Sequence, residues 1–151
     1  MAAEVRQLYA GLLDRWNERD AEGFPGLFAE DGIVVGFDGS QMNGRRDIAS
    51  ELGRIFADHP TAAYIGKVRV VRSLAADVAV LQAVVGMVPP GKSDINAAVN
   101  AVQILAAVRR RGRWRIAVFQ NTPAAYPGRP ELAPQLTDEL REALRAAKSQ
   151  A

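Results

Sequence analysis

The stretch LFAEDGIVVGFDGSQMNGRRDI, Leu27 to Ile48, decides how this chain is read. It leaves the end of one helix, forms a short strand, bends, and enters a second helix. GIVVGF (32–37) is the strand, because a short apolar, β-branched run bounded by turn residues suits a pleated, buried surface. DGS (38–40) is the bend, carrying the Asp-Gly pair that turns favour. From Gly44 the apolar positions Ile48, Leu52, Ile55 and Phe56 recur at helical spacing, and this helix stops before Pro60.

Upstream, Val5, Leu8, Tyr9, Leu12, Leu13 and Trp16 form one apolar stripe on a helix of about four turns. Asp20 is placed to cap a short second helix ending near Phe28. Gly23, Pro25 and Gly26 weaken it, and a start near Phe24 with Pro25 in the first turn is the alternative. Downstream, everything from Thr61 to Thr122 reads as sheet: AAYIGKVRVVRSL, DVAVLQAVVGMV, NAAVNAVQILAAVRR and RWRIAVFQNT. The links AAD and RRGR are short, which implies antiparallel neighbours. Beyond Pro134, Leu136, Leu140 and Leu144 mark a last amphipathic helix over about 134–148.

This order predicts an α+β fold in one domain spanning 1–151, with a curved antiparallel sheet wrapped around the N-terminal helices. Such a sheet leaves a concave interior, the usual place for a small-molecule site. The second long strand is apolar on both sides, Val78, Val80, Val84 and Val88 against Ala79, Leu81, Ala83, Val85 and Met87. It therefore calls for helices on one face and, on the other, a second copy of the chain: a homodimer through the sheet face.

Composition sets the outer limits. A chain of 151 residues buries a core without covalent staples, and 48% hydrophobic with 24% charged residues is the balance of a soluble globular protein. Without cysteine there is no disulfide, no thiolate metal ligand and no cysteine nucleophile. The opening MAAEVRQLYAGLLDRW is interrupted by charges and reads as neither signal peptide nor membrane span, so no membrane partner and a cytoplasmic location are expected. A net charge of +2 is too small to imply nucleic acid. The basic run RRRGRWR (109–115) sits on a hairpin turn with no aromatic platform between its charges, so nucleic acid is not an expected partner. Neither G-x-G-x-x-G after a strand nor G-x-x-x-x-G-K-[ST] occurs, and the single histidine has no metal-ligand spacing around it. No cofactor and no metal are expected.

RWNERDAEGFPGLFAEDGIVVGFDG (15–39), NGRRDIASEL (43–52) and VRRRGRWRIAVFQNTP (108–123) resemble the NTF2-like superfamily, the cone fold of ketosteroid isomerase and SnoaL-like polyketide cyclases. FADHPTAAYIGKV (56–68), GMVPPGKSDINAAVNAVQ (86–103) and FQNTPAAYPGRPEL (119–132) look like its SgcJ/EcaC group, encoded with enediyne and other polyketide pathways. The resemblance implies a ligand-binding cone, a homodimer and a place in antibiotic biosynthesis. Carried over residue by residue, the isomerase's carboxylate base falls on Gly36 and its tyrosine donor on Leu12. Its second donor falls near Gln103 or Ile104. That machinery is absent here.

His59 is then the candidate general base, as the chain's only imidazole, with helix capping as its structural role. Asp38 reads as the turn residue, with a carboxylate swung into the pocket as the alternative, and Asp31 as a solvated helix-end acid. Trp16, Phe28, Phe37, Phe56 and Tyr64 are the expected apolar walls of the pocket. Asn100, Gln103 and Asn121 are its expected polar groups, although Asn100 and Gln103 lie on opposite faces of a regular strand. The expected ligand is apolar and polyene- or polyketide-like. Two functions follow: promotion of a cofactor-free proton transfer, cyclisation or oxidative step, or carriage of the ligand without chemistry.

Overall fold

A computed structural model describes residues 1–150. Helix α1 (Ala2–Asn17) leads into the single turn α2 (Gly23–Gly26), then strands β1 (Phe28–Val35) and β2 (Gln41–Asn43) and helix α3 (Arg45–Asp58). The meander follows as β3 (Ala63–Ala75), β4 (Val78–Val88), β5 (Ala101–Arg110) and β6 (Arg113–Pro123), and α4 (Leu132–Ser149) closes the chain. One six-stranded sheet has the order β2-β1-β6-β5-β4-β3. All neighbours are antiparallel except β1 and β6, which run parallel. The α+β architecture is the expected one: an unclosed, curved sheet holding helices on its concave side.

That concave side carries the main core. Val5, Leu8, Leu12 and Leu13 of α1 and Ile48 and Leu52 of α3 pack onto Leu81, Ala83, Leu105, Ile116 and Phe119 of the strands. Alternation along each strand sends these residues inward. Between Phe28 and Ile33 the pairing of β1 with β6 shifts register. Gly32 sits in that irregularity, where a Cβ would meet the Ile116 carbonyl oxygen at 2.9 Å. A side chain there would force the two strands apart.

Several local expectations change. The first strand starts at Phe28 and ends at Val35, so Gly36 and Phe37 already belong to the bend. The second helix shrinks to one turn. Ala97–Val99 is a 3-10 turn capped by the Asn96 side chain, so β5 begins only at Ala101. The outer sheet face is also partly covered from within. Leu136 and Leu140 of α4 pack with Ile95 on Val84, joined by Ile65, Val88 and Val102. The rest of that face stays open, with Ile104 and Val70 each 38% exposed.

Candidate functional site

The helices do not fill the cone. A cavity of about 330 Å³ remains between α1, α3 and the concave sheet. Leu12, Leu13 and Trp16 of α1, Leu52 and Ile55 of α3, and Val34, Met42, Met87 and Phe119 of the strands give it apolar walls. Gly36, Phe37, Asp38 and Ser40, in the bend between β1 and β2, line its rim. Asp38 and Ser40 are exposed, so this end meets solvent. The polar groups on the wall are few: Tyr64, Asn121 and the rim pair.

Asn121 does not act alone. The Tyr9 hydroxyl donates to Gln103 Oε1 at 2.6 Å, and Gln103 Nε2 donates to Asn121 Oδ1 at 2.7 Å. Asn121 Nδ2 faces the Val35 carbonyl oxygen at 3.4 Å, a long contact. Register explains the alignment, since Gln103 and Asn121 are direct partners across β5 and β6. Gln103 is fully buried, where an unpaired amide would cost about 1–3 kcal/mol, so this linkage keeps it tolerable. Burial, reinforced by the nearby Tyr64, pushes the Tyr9 phenol well above its ordinary range. Burial pushes Tyr64 up to about 12. Both remain neutral donors at physiological pH.

Tyr64 is fixed by the end of α1. Asn17 Oδ1 accepts from the Tyr64 N–H at 2.8 Å, and Asn17 Nδ2 donates to the Tyr64 carbonyl at 3.0 Å. Trp16 Nε1 donates to the Ala62 carbonyl at 2.9 Å, and its ring lies 5.3 Å from that of Tyr64. Two adjacent α1 residues thus hold the start of β3 and one wall of the cavity.

At the rim, Asp38 Oδ1 accepts from the Ser40 hydroxyl at 2.6 Å and from the Ser40 N–H at 2.9 Å. These bonds hold its carboxyl below the usual carboxylate range. The Cβ that Gly36 lacks would lie 3.3 Å from Asp38 Oδ1. An acid that the sequence reads as a turn residue is therefore both the turn residue and part of the cavity lining.

Of the sequence-derived site residues, Trp16, Phe37, Tyr64 and Asn121 line the cavity, and Gln103 stands directly behind Asn121. Four others lie elsewhere. Phe28 is fully buried against Phe24, with ring centroids 5.5 Å apart. Phe56 packs edge-on against Trp16 at 5.2 Å, under the Arg19 guanidinium. Asn100 precedes β5 and donates to Thr137 Oγ1 of α4 at 2.9 Å, on the far side of the sheet. His59 ends α3, its N–H donating to the Ile55 carbonyl at 3.0 Å and its carbonyl accepting from Arg19 at 2.9 Å. Its side chain borders a shallow depression with Glu51, Arg54 and Asp58, outside the cone. Asp31 is also outside, exposed and 3.7 Å from Arg110.

Sequence reasoning passed over Leu12, Leu52, Met42, Met87 and Ser40 as lining residues. The first two belong to helical stripes already identified, so the signal was present. Part of the basic turn is engaged in the fold: Arg109 pairs with Asp77 at 2.8 Å and covers the Trp114 ring, and Arg115 donates to the Gly26 carbonyl. Among the described residues, no three His, Cys, Asp or Glu side chains converge in a metal-ligating group, and no helix is long and apolar enough to cross a membrane.

Known structures share this architecture. A domain of unknown function with a cystatin-like fold from Nostoc punctiforme aligns over 99% of this chain and 97% of its own, with a TM-score of 0.78 and 21% identity. A ketosteroid isomerase-like protein from Erwinia carotovora atroseptica aligns over 82% and 95%, with a TM-score of 0.65 and 15% identity. An NTF2-like protein of unknown function from Shewanella oneidensis aligns over 80% and 98%, with a TM-score of 0.67 and 15% identity. At these identities the likeness concerns the fold. No curated protein matches the chain in sequence. The SnoaL-like domain family matches residues 2–120. With its cone, its apolar cavity and this match over most of its length, the chain belongs to the SnoaL-like domain family, and its fold is the one seen in NTF2-like and ketosteroid isomerase-like structures.

Proposed function

We propose that the protein binds a largely apolar small molecule, polyene- or polyketide-like, in the cone and promotes a cofactor-free proton transfer, cyclisation or oxidative step on it. The observation that carries this reading is the cavity itself: about 330 Å³, apolar on nearly all sides, with its polar groups confined to Asn121, Tyr64 and the rim. Such a site rewards burial of hydrocarbon and orients the ligand by a few hydrogen bonds. The resemblance of residues 56–68, 86–103 and 119–132 to the SgcJ/EcaC group supports placing that ligand in enediyne or related polyketide biosynthesis, in the cytoplasm. The open part of the outer sheet face supports a homodimer, since Ile104 and Val70 would leave water there.

Asp38 takes the place of His59 as candidate base, because His59 lies outside the cone and Asp38 borders it. One observation favours the second reading, a carrier. Asp38 sits at the solvent end, and Ser40 lowers its proton affinity, which makes it a weak base. Incubating the purified protein with an extract of apolar metabolites from its producing strain, followed by mass spectrometry, separates the two. A new product in excess over protein, lost in Asp38→Asn, identifies an enzyme. A stoichiometric ligand recovered unchanged identifies a carrier. Capture of nothing rejects both.

A further inference from the structure

The polarity of the buried chain Tyr9–Gln103–Asn121 is fixed at both ends. At one end stands a phenol, whose hydrogen needs an acceptor. At the other stands the Val35 carbonyl, which can only accept. Reversing the two amides would turn Asn121 Oδ1 toward the Val35 oxygen, acceptor against acceptor, and would leave the buried Tyr9 hydroxyl facing an N–H group. Only the observed orientation satisfies every member, so Tyr9 sets Gln103 and Gln103 sets Asn121.

The consequence appears at the cavity wall. With Oδ1 engaged by Gln103, the amide group that Asn121 offers is Nδ2, whose two hydrogens have one long contact, at 3.4 Å, between them. Asn121 lines the cavity and is itself only 7% exposed. Resting on the small-molecule reading above, we propose that Asn121 is a dedicated hydrogen-bond donor, poled by Tyr9 and Gln103, and that the cone selects apolar ligands carrying a carbonyl oxygen. A hydrocarbon of the same shape leaves this donor unpaired, and a ligand presenting only an N–H group meets a donor with a donor. Asn121 is the contact; Gln103 and Tyr9 are positioning residues.

The probes are 9-fluorenone and fluorene, flat molecules that differ only in the carbonyl. Calorimetric titration of the whole protein gives both affinities, and infrared spectroscopy of the bound ketone gives its carbonyl stretch. Fluorenone is expected to bind about tenfold tighter than fluorene, the selectivity of one good hydrogen bond, with its stretch lowered relative to hexane. In Asn121→Leu the two affinities converge and the stretch returns to its position in hexane, while fluorene still binds. In Tyr9→Phe, where only the long Val35 contact still orients the amides, the single band splits in two. The triple variant Tyr9→Phe/Gln103→Leu/Asn121→Leu leaves no orphaned partner and serves as the control should the single change not fold. Equal binding of both probes to the wild type with an unshifted stretch overturns the donor assignment and leaves the cavity reading standing. Failure of both probes to bind overturns both.

Discussion

A Cβ placed on Gly66 would lie 2.7 Å from the Tyr9 hydroxyl and 2.7 Å from Leu13 Cδ1. β3 therefore approaches α1 as closely as it does only because residue 66 has no side chain, and the Tyr9–Gln103 bond depends on that approach. Gly66→Ala is expected to displace the phenol, expose Gln103 Oε1 to an unpaired state and destabilise the fold by about 1–3 kcal/mol. Urea unfolding should show a lower midpoint with an unchanged m-value. An alanine variant as stable as wild type would mean that the buried chain tolerates the shift.

Alkali tests the same buried phenols. Tyr64 is pushed up to about 12 in the folded protein, and Tyr9 is raised further by burial, against an ordinary value of 10.0. Because the folded values are raised, the unfolded chain loses these protons first. Stability is then full below about pH 10 and falls as pH rises from there, by up to about 1.4 kcal/mol per pH unit for each phenol. Denaturation measured between pH 9 and 12 should show this decline, with a shallower slope in Tyr9→Phe. A flat profile through pH 11 would contradict the burial of both hydroxyls.

At the rim, Ser40→Ala removes the 2.6 Å hydroxyl bond to Asp38. The Asp38 carboxyl should then titrate higher than in wild type, as followed by NMR of its side-chain carbon. If Asp38 takes a proton in a reaction, the acidic limb of the pH–rate profile moves upward with it. An unchanged midpoint would show that the serine does not hold the carboxylate in solution.

The outer sheet face gives a separate prediction. Ile104 is 38% exposed at the centre of the face that α4 leaves open. Ile104→Lys is expected to convert a dimer to a folded monomer in sedimentation, with little change in monomer stability. A wild-type protein that sediments as a monomer at all concentrations would remove the dimer from the account.

The elements that periodicity governs were legible in the sequence. The stripe from Val5 to Trp16 gave α1, because it expresses one buried face, and the long apolar runs joined by short links after Thr61 gave the meander. β2 was not legible: three residues, only Met42 apolar, carry no alternation, and the strand exists because β1 pairs with it. The parallel pairing of β1 with β6 joins residues far apart in sequence, which no local pattern encodes. NAAV (96–99) read as strand because it runs on into the apolar strand after Asn100, whereas the Asn96 side chain caps Ala97–Val99 as a 3-10 turn.

The site divided along the same line. Asn121 and Gln103 stood out as polar residues in apolar strands, and cross-strand register brought them together. Asn100 has the same local signature, yet it meets α4 instead, a tertiary fact. His59 drew attention through its chemistry alone, and the direction in which α3 ends places it on the surface. Asp38 joins both of its sequence readings, since a good turn residue can also border a cavity.

If the cone is a binding cavity, filling it abolishes capture of a ligand. Gly36 lines it without a side chain, so Gly36→Leu should occlude the space near Asp38 while leaving the core intact. The direct measurement is native mass spectrometry of wild type and Gly36→Leu after exposure to the same apolar metabolite extract. One small molecule per wild-type chain and none on the variant is the expected result, with matching melting temperatures. Equal capture by both proteins, or by neither, would contradict it.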